Sequence, residues 1–230
     1  WLMMAHKTGL SAQGLCDVYE FGSYQTAWAW LHKLRSVMIR QGRERLQGRV
    51  EVDEAYIGGV RKGARGRGAE GKTLVMVAVE GERGQRLGRV RLRCIGTITQ
   101  QAAESFITDY IEPGSQLVSD GLNAYDHIEE LGYVHNRNVL STGGDDALAQ
   151  LDHVHLVISL AKRWLDGTHH GAVKPSHLQA YLDEFAFRFN RRLSTHRGML
   201  FYRLVLQSVT TRPLSTKDLY KIKTLDVGGT

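Results

Sequence analysis

Val50-Glu51-Val52-Asp53-Glu54-Ala55-Tyr56-Ile57-Gly58-Gly59 is the stretch on which the fold turns. Val50, Val52, Tyr56 and Ile57 are strand formers, and the two glycines stop the run. The segment reads as a buried strand with a carboxylate, Asp53, in its middle. A charge on a strand near the core is costly unless something pairs with it, and a metal ion is one such partner. Gln116-Leu117-Val118-Ser119-Asp120-Gly121 repeats the pattern, an apolar run ending in Asp and then Gly. Two strand-borne aspartates point to a site that holds a divalent cation for phosphoryl chemistry.

Outward from that strand, 73–80 and 87–95 read as two more, joined by a hairpin through Gly81-Glu82-Arg83-Gly84. Residues 99–111 read as a helix stopped by Pro113-Gly114, and the strand 116–119 delivers Asp120. A helix over 122–131 closes at Gly132, and a short strand runs from 133 to 139. After the Gly/Asp loop 142–146 comes a long helix over 150–165, ended by Gly167, and a last strong helix over 176–191. This order suits an α/β mixed sheet with helices on its faces. It is the order of the RNase H-like fold, which puts its first carboxylate on the first strand and its second at the end of the fourth. Asp53 and Asp120 would then meet.

The chain before this core is helical. Ser11 can cap a helix through Leu15 and Cys16, Gly22-Ser23 punctuates, and Thr26–Arg35 has apolar residues at helical spacing with Lys33 and Arg35 at its end. This is the outline of a helix-turn-helix DNA-binding region, and equally of a small helical cap on the next domain. Residues 41–49 read as a polar, basic linker. The expected division is 1–45 helical, 46–207 catalytic, and 208–230 a C-terminal tail.

The 230 residues suffice for one sizeable domain plus a small one, and 42% hydrophobic content supports a core. A net charge of +6 favours a polyanionic partner such as nucleic acid. Cys16 and Cys94 match no metal spacing and read as packing residues in a reducing compartment. No stretch is long and apolar enough to span a membrane, and no signal peptide is evident. The start at Trp1 suggests a fragment or a processed product.

Asp53 and Asp120 need a third partner, and the long helix offers Asp152, His153, His155 and Lys162. His155 and Lys162 are about two helical turns apart and share a face. Imidazole ligates transition metals well but is a poorer ligand than carboxylate for Mg²⁺. By pattern alone, hydrogen bonding within the domain is the stronger reading of a lone histidine on such a half-apolar helix. The glycine-rich basic loop with Arg61, Lys62, Arg65, Arg67 and Lys72 could approach phosphates closely, or be a solvated loop.

Several segments together resemble the IS1595-type (ISXO2-like) transposases of bacterial insertion sequences. They are 50–59, the run Lys62–Gly68 with Gly71-Lys72, Pro113-Gly114-Ser115 with Asp120-Gly121 and Ala124-Tyr125, Ser159–Arg163 with Gly167-Thr168-His169, and Tyr181–Arg192. The resemblance covers roughly 9–207. It implies a DDE-superfamily enzyme with an RNase H-like core, in which Asp53 and Asp120 are the first two catalytic residues. His155 would be the third, followed seven residues later by Lys162. It implies two Mg²⁺ or Mn²⁺ ions held by Asp53, Asp120 and His155, and cleavage and strand transfer at the element's ends. The partners implied are double-stranded DNA (terminal inverted repeats and target DNA) and further copies of the chain on that DNA, in the bacterial cytoplasm at the nucleoid. Arg61, Lys62, Arg65, Arg67, Lys72, Lys162, Arg163, Lys33 and Arg35 are the expected DNA contacts. Many members carry an N-terminal zinc ribbon with two Cys-x-x-Cys pairs; this chain has neither pair, so no zinc is expected. An inactive remnant that only binds DNA is the other reading.

Overall fold

β1 (Arg49–Ile57) is the central strand of a five-stranded sheet in the order β3-β2-β1-β4-β5. The structure, a computed structural model, describes residues 1–40, 42–58, 71–82, 84–138, 151–170, 173–196, 198–212 and 214–221. β2 (Thr73–Glu80) pairs antiparallel with β1 and with β3 (Val90–Ile95). On the other side β4 (Gln116–Asp120) is parallel to β1 and to β5 (Val134–Asn138). Successive strand side chains point to opposite faces, so each strand feeds two cores. Val50, Val52, Leu74, Met76 and Leu117 pack on Phe106 and Ile107 of helix α4 (Gln100–Tyr110). Ile57, Val75, Val77 and Val118 pack on α5 (Asp152–His169) and α6 (Pro175–Phe189). Full burial of a valine such as Val75 or Val77, each 0% exposed, contributes about 1.5–3 kcal/mol.

Several expected boundaries move, each for a local reason. The third strand begins at Val90 rather than 87, because the chain there folds back onto β2: Gly88 N–H donates to Glu80 O at 2.6 Å. A Cβ at Gly88 would lie 2.5 Å from that oxygen, so only glycine fits. The expected helix over 122–131 is two 3-10 turns, Asn123–Tyr125 and Ile128–Leu131. Buried Tyr125 and Ile128 are three residues apart, and a three-residue period turns both toward the sheet. Gly167 does not end α5, which runs on to His169. Its last turn is held by Trp164 Nε1–H and the Thr168 hydroxyl, both donating to Thr8 O. The stretch read as a linker contains Leu46, fully buried and hydrogen-bonded through its backbone to Tyr110 and Glu112. Nor is α6 the last helix: α7 (Gly198–Thr210) runs across position 207, and α8 (Thr216–Lys221) follows.

The N-terminal segment forms α1 (Leu2–Ala5), α2 (Ala12–Tyr19) and α3 (Tyr24–Ser36). Ser11 caps α2 as expected, its Oγ accepting from Gly14 N–H at 3.0 Å. These helices share a third core with Phe187 of α6 and Leu204 of α7. Between α3, α5 and α6 lies an aromatic–imidazole cluster. The His32 ring is 4.1 Å from Trp28, 5.3 Å from His177 and 5.2 Å from Tyr181, and His169 is 4.6 Å from Tyr181. Burial, reinforced by the Arg35 guanidinium, lowers His32 to about 2 and His169 to about 3. Both are neutral in the folded protein, whereas an unfolded histidine takes up a proton below about pH 6.5. The unfolded state therefore binds more protons through acid pH, and stability is full above that value and lost as pH falls below it. Each histidine removes up to about 1.4 kcal/mol per pH unit. The urea midpoint is expected to fall between pH 7.5 and 5.0, and His32→Phe to flatten that fall. A midpoint independent of pH over this range would contradict the assignment.

Candidate metal centre

The site is built where β1 and β4 part. Their parallel pairing runs from Arg49–Gln116 to Glu51–Val118 and stops there. The same offset carried two residues further sets Asp53 level with Asp120, past the last paired rung. By strand period, Asp53 falls on the face of Ala55 and Ile57, and Asp120 on that of Val118. Each aspartate gives one oxygen to local backbone: Asp53 Oδ1 accepts from Glu54 N–H at 2.8 Å, and Asp120 Oδ1 from Leu122 N–H at 3.1 Å. Carboxylate oxygens of Asp53, Glu54 and Asp120 all lie within 4.8 Å of one another.

Glu54 had no role in the sequence reading. Strand alternation turns it away from Asp53, and it joins the cluster because β4 no longer covers that part of β1. That divergence leaves no mark in the sequence. Tyr125, 1% exposed, donates its hydroxyl to Glu54 Oε2 at 3.1 Å. Burial first, then the charge of Glu54, pushes the phenol well above its usual range, so it stays a donor.

A fully buried carboxylate sets the roof. Glu51, 1% exposed, accepts from Arg49 Nη1 at 2.6 Å and from Val154 N–H at 2.9 Å. Val154 is in the first turn of α5, where N–H groups lack partners and favour negative charge. Glu51 thus docks the start of α5 against β1. One residue on, His155 Nε2 comes to 3.3 Å from Asp53 Oδ2. The hydrogen bond to Asp53 raises the His155 pKa. Lys162 follows two turns along; partial burial, then the charge of Lys72, lowers its pKa, while Asp53 opposes. Asp53, His155, Lys162 and Lys72 therefore lie in one electrostatic neighbourhood.

The other expected contacts are dispersed. Arg163 is exposed on α5 and Lys33 half-buried on α3. Arg35 is no surface cation: it is 1% exposed, its Nε 2.8 Å from Glu184 Oε2, because α3 packs that end against α6. Arg61, Lys62, Arg65 and Arg67 lie outside the described residues. Cys16 and Cys94 are half-buried packing residues, and burial pushes the Cys94 thiol to about 12. Among the described residues no helix is long and apolar enough to cross a membrane.

Three converging carboxylates are a hard oxygen donor set, which fits a Mg²⁺- or Mn²⁺-type cation. Fold and site together define an α/β domain with an acidic centre at the gap between two parallel strands. Residues 45–190, more than half of the chain, match the ISXO2-like transposase domain, and the chain belongs to that family of transposases. The match spans β1 through α6, a narrower stretch than the 9–207 over which the sequence resemblance was read. No curated protein matches the chain.

Proposed function

We propose that this chain is an insertion-sequence transposase that cuts DNA phosphodiesters and joins strands at a divalent-cation site built on Asp53 and Asp120. The convergence of Asp53, Glu54 and Asp120 within 4.8 Å supports this reading most strongly. A mixed five-stranded sheet with helices on its faces is compatible with the RNase H-like reading, and we take the core as such. A pair of Mg²⁺ or Mn²⁺ ions at such a site lowers the pKa of an attacking water or 3′-hydroxyl and neutralises charge on the leaving oxygen. Asp53 and Asp120 would hold the cations, each steadied by a backbone N–H. Glu54 closes the set from the other side of β1, fixed by the Tyr125 hydroxyl. His155 is outside the three-carboxylate cluster, its Nε2 3.3 Å from Asp53 Oδ2; in this reading it would join the ligand set from α5 by giving up that contact. Lys162 and Lys72 bring positive charge beside the carboxylates, where a DNA phosphate must approach. Exposed Arg163 adds to that charge; Arg61, Lys62, Arg65 and Arg67, expected DNA contacts by sequence, lie outside the described residues. In the helix-turn-helix reading of 9–40, the exposed part of α3 around Tyr24, Trp30 and half-buried Lys33 would face DNA.

Incubated with supercoiled plasmid, the full chain is expected to produce nicked circles with Mn²⁺ and none with EDTA. Equal nicking in EDTA would contradict a cation-dependent site.

A further inference from the structure

A second charged feature lies away from the acidic centre. A cleft of about 770 Å³ opens between the end of α6, α7, the segment after α3 and the start of edge strand β3. Arg40, Arg43, Arg89, Arg91, Arg191 and Arg203 line it, against one carboxylate, Glu44. Glu44 is already taken by Arg89 Nη1 at 3.0 Å. Among the described residues, Arg40, Arg43, Arg191 and Arg203 have no carboxylate within ion-pair distance, and Arg43 acts on Asp183 only at longer range. Arg91 is 4% exposed, spends its terminal nitrogens on the carbonyls of Val90 and Glu44, and leaves buried Nε without a partner.

These guanidiniums crowd one another. Burial, then the charges of Arg43 and Arg89, lowers Arg91 to about 10. Arg191 is lowered by burial, then by Arg203 and Arg40. Two stand on aromatic rings that fix their orientation: Arg191 lies 4.0 Å over Phe187 and Arg43 4.9 Å over Tyr110. Like charges held together in a cleft are unfavourable unless an anion joins them. Arg40, Arg191 and Arg203 form such a group; next to it Arg43 and Arg91 flank Arg89, whose own charge Glu80 and Glu44 already meet at 2.8 and 3.0 Å. A chain with repeated anionic centres can meet the unpaired group and run on to Arg43.

We propose that this cleft is a second DNA-binding site, holding the phosphodiester backbone of a strand outside the metal centre. The planar guanidinium fork matches phosphate oxygens pairwise, and contacts of this kind are indifferent to sequence. Leu92 is level with Val77, and Val77 with Asp53, so the β3 edge stands two strand spacings, about 10 Å, from the β1 axis.

The test is fluorescence-anisotropy titration of a labelled 20-base-pair duplex with the full chain in EDTA, across a salt series. Cleavage plays no part in that readout, so the result is independent of the metal-centre proposal. Arg40→Gln and Arg203→Gln change exposed side chains. Each is expected to reduce the slope of log affinity against log salt by about 0.9, and the pair by about 1.8. Affinity should fall about tenfold for the pair. An unchanged slope and affinity in all three variants would overturn the proposal. So would an oligoglutamate probe that binds wild type and fails to bind the pair while duplex affinity is unchanged, since that assigns the cleft to an acidic peptide.

Discussion

Glu184→Ala is expected to destabilise the protein by about 3–5 kcal/mol, the range for removing one partner of a buried ion pair. Glu184 is 0% exposed and accepts from Arg35 Nε and Arg188 Nε, each at 2.8 Å. Arg35, at 1% exposure, would be left as an unpaired charge packed 4.2 Å over the Tyr181 ring. Arg188 also donates to the carbonyls of Met3 and His6. One carboxylate thus fastens α1 and α3 to α6. The melting temperature should drop on the order of 10 °C. Limited proteolysis within 1–40 should speed up, because those helices lose their anchor. The paired replacement Arg35→Met/Glu184→Leu should recover much of the loss, as removing both charges removes the burial penalty. A melting temperature within a degree or two of wild type in Glu184→Ala would show that the pair is not the anchor.

The second large effect belongs to the metal centre. Asp120→Asn keeps the side-chain shape and the bond from Leu122 N–H, yet removes the charge that a divalent cation requires. Asp53→Asn does the same on β1. Nicking in Mn²⁺ is expected to fall at least about 10³-fold in either variant, about 4 kcal/mol of transition-state stabilisation. Duplex affinity in EDTA should not fall, since no phosphate gains a contact from an aspartate. Melting should change little, because neither aspartate carries packing. Glu54→Gln keeps a Tyr125 contact and should cost less.

Asp53 and Asp120 could be read as partners because one sits inside an apolar strand and the other ends one, and a parallel pair of strands with a fixed offset brings them level. Glu54 could not, because its role depends on where β4 leaves β1. Arg35 and Lys33 look alike at the end of an amphipathic helix; only the presence of Glu184, 149 residues away, separates a buried anchor from a surface cation. The helix end at His169 was hidden for a similar reason. Gly167 is locally a stop, costing about 1 kcal/mol in a helix, and contacts with Thr8 and Tyr181 outweigh it. β2 survives translation from sequence best, because burial on both faces makes its apolar run continuous. What failed were features set by long-range partners.

The most direct measurement is the initial rate of plasmid nicking in Mn²⁺ by wild type and Asp120→Asn, side by side, with melting and duplex affinity recorded for both. Rapid nicking by wild type, and a loss of about 10³-fold in a variant that melts and binds DNA normally, is the expected result. Equal rates in the two proteins would contradict a cation site at Asp53 and Asp120.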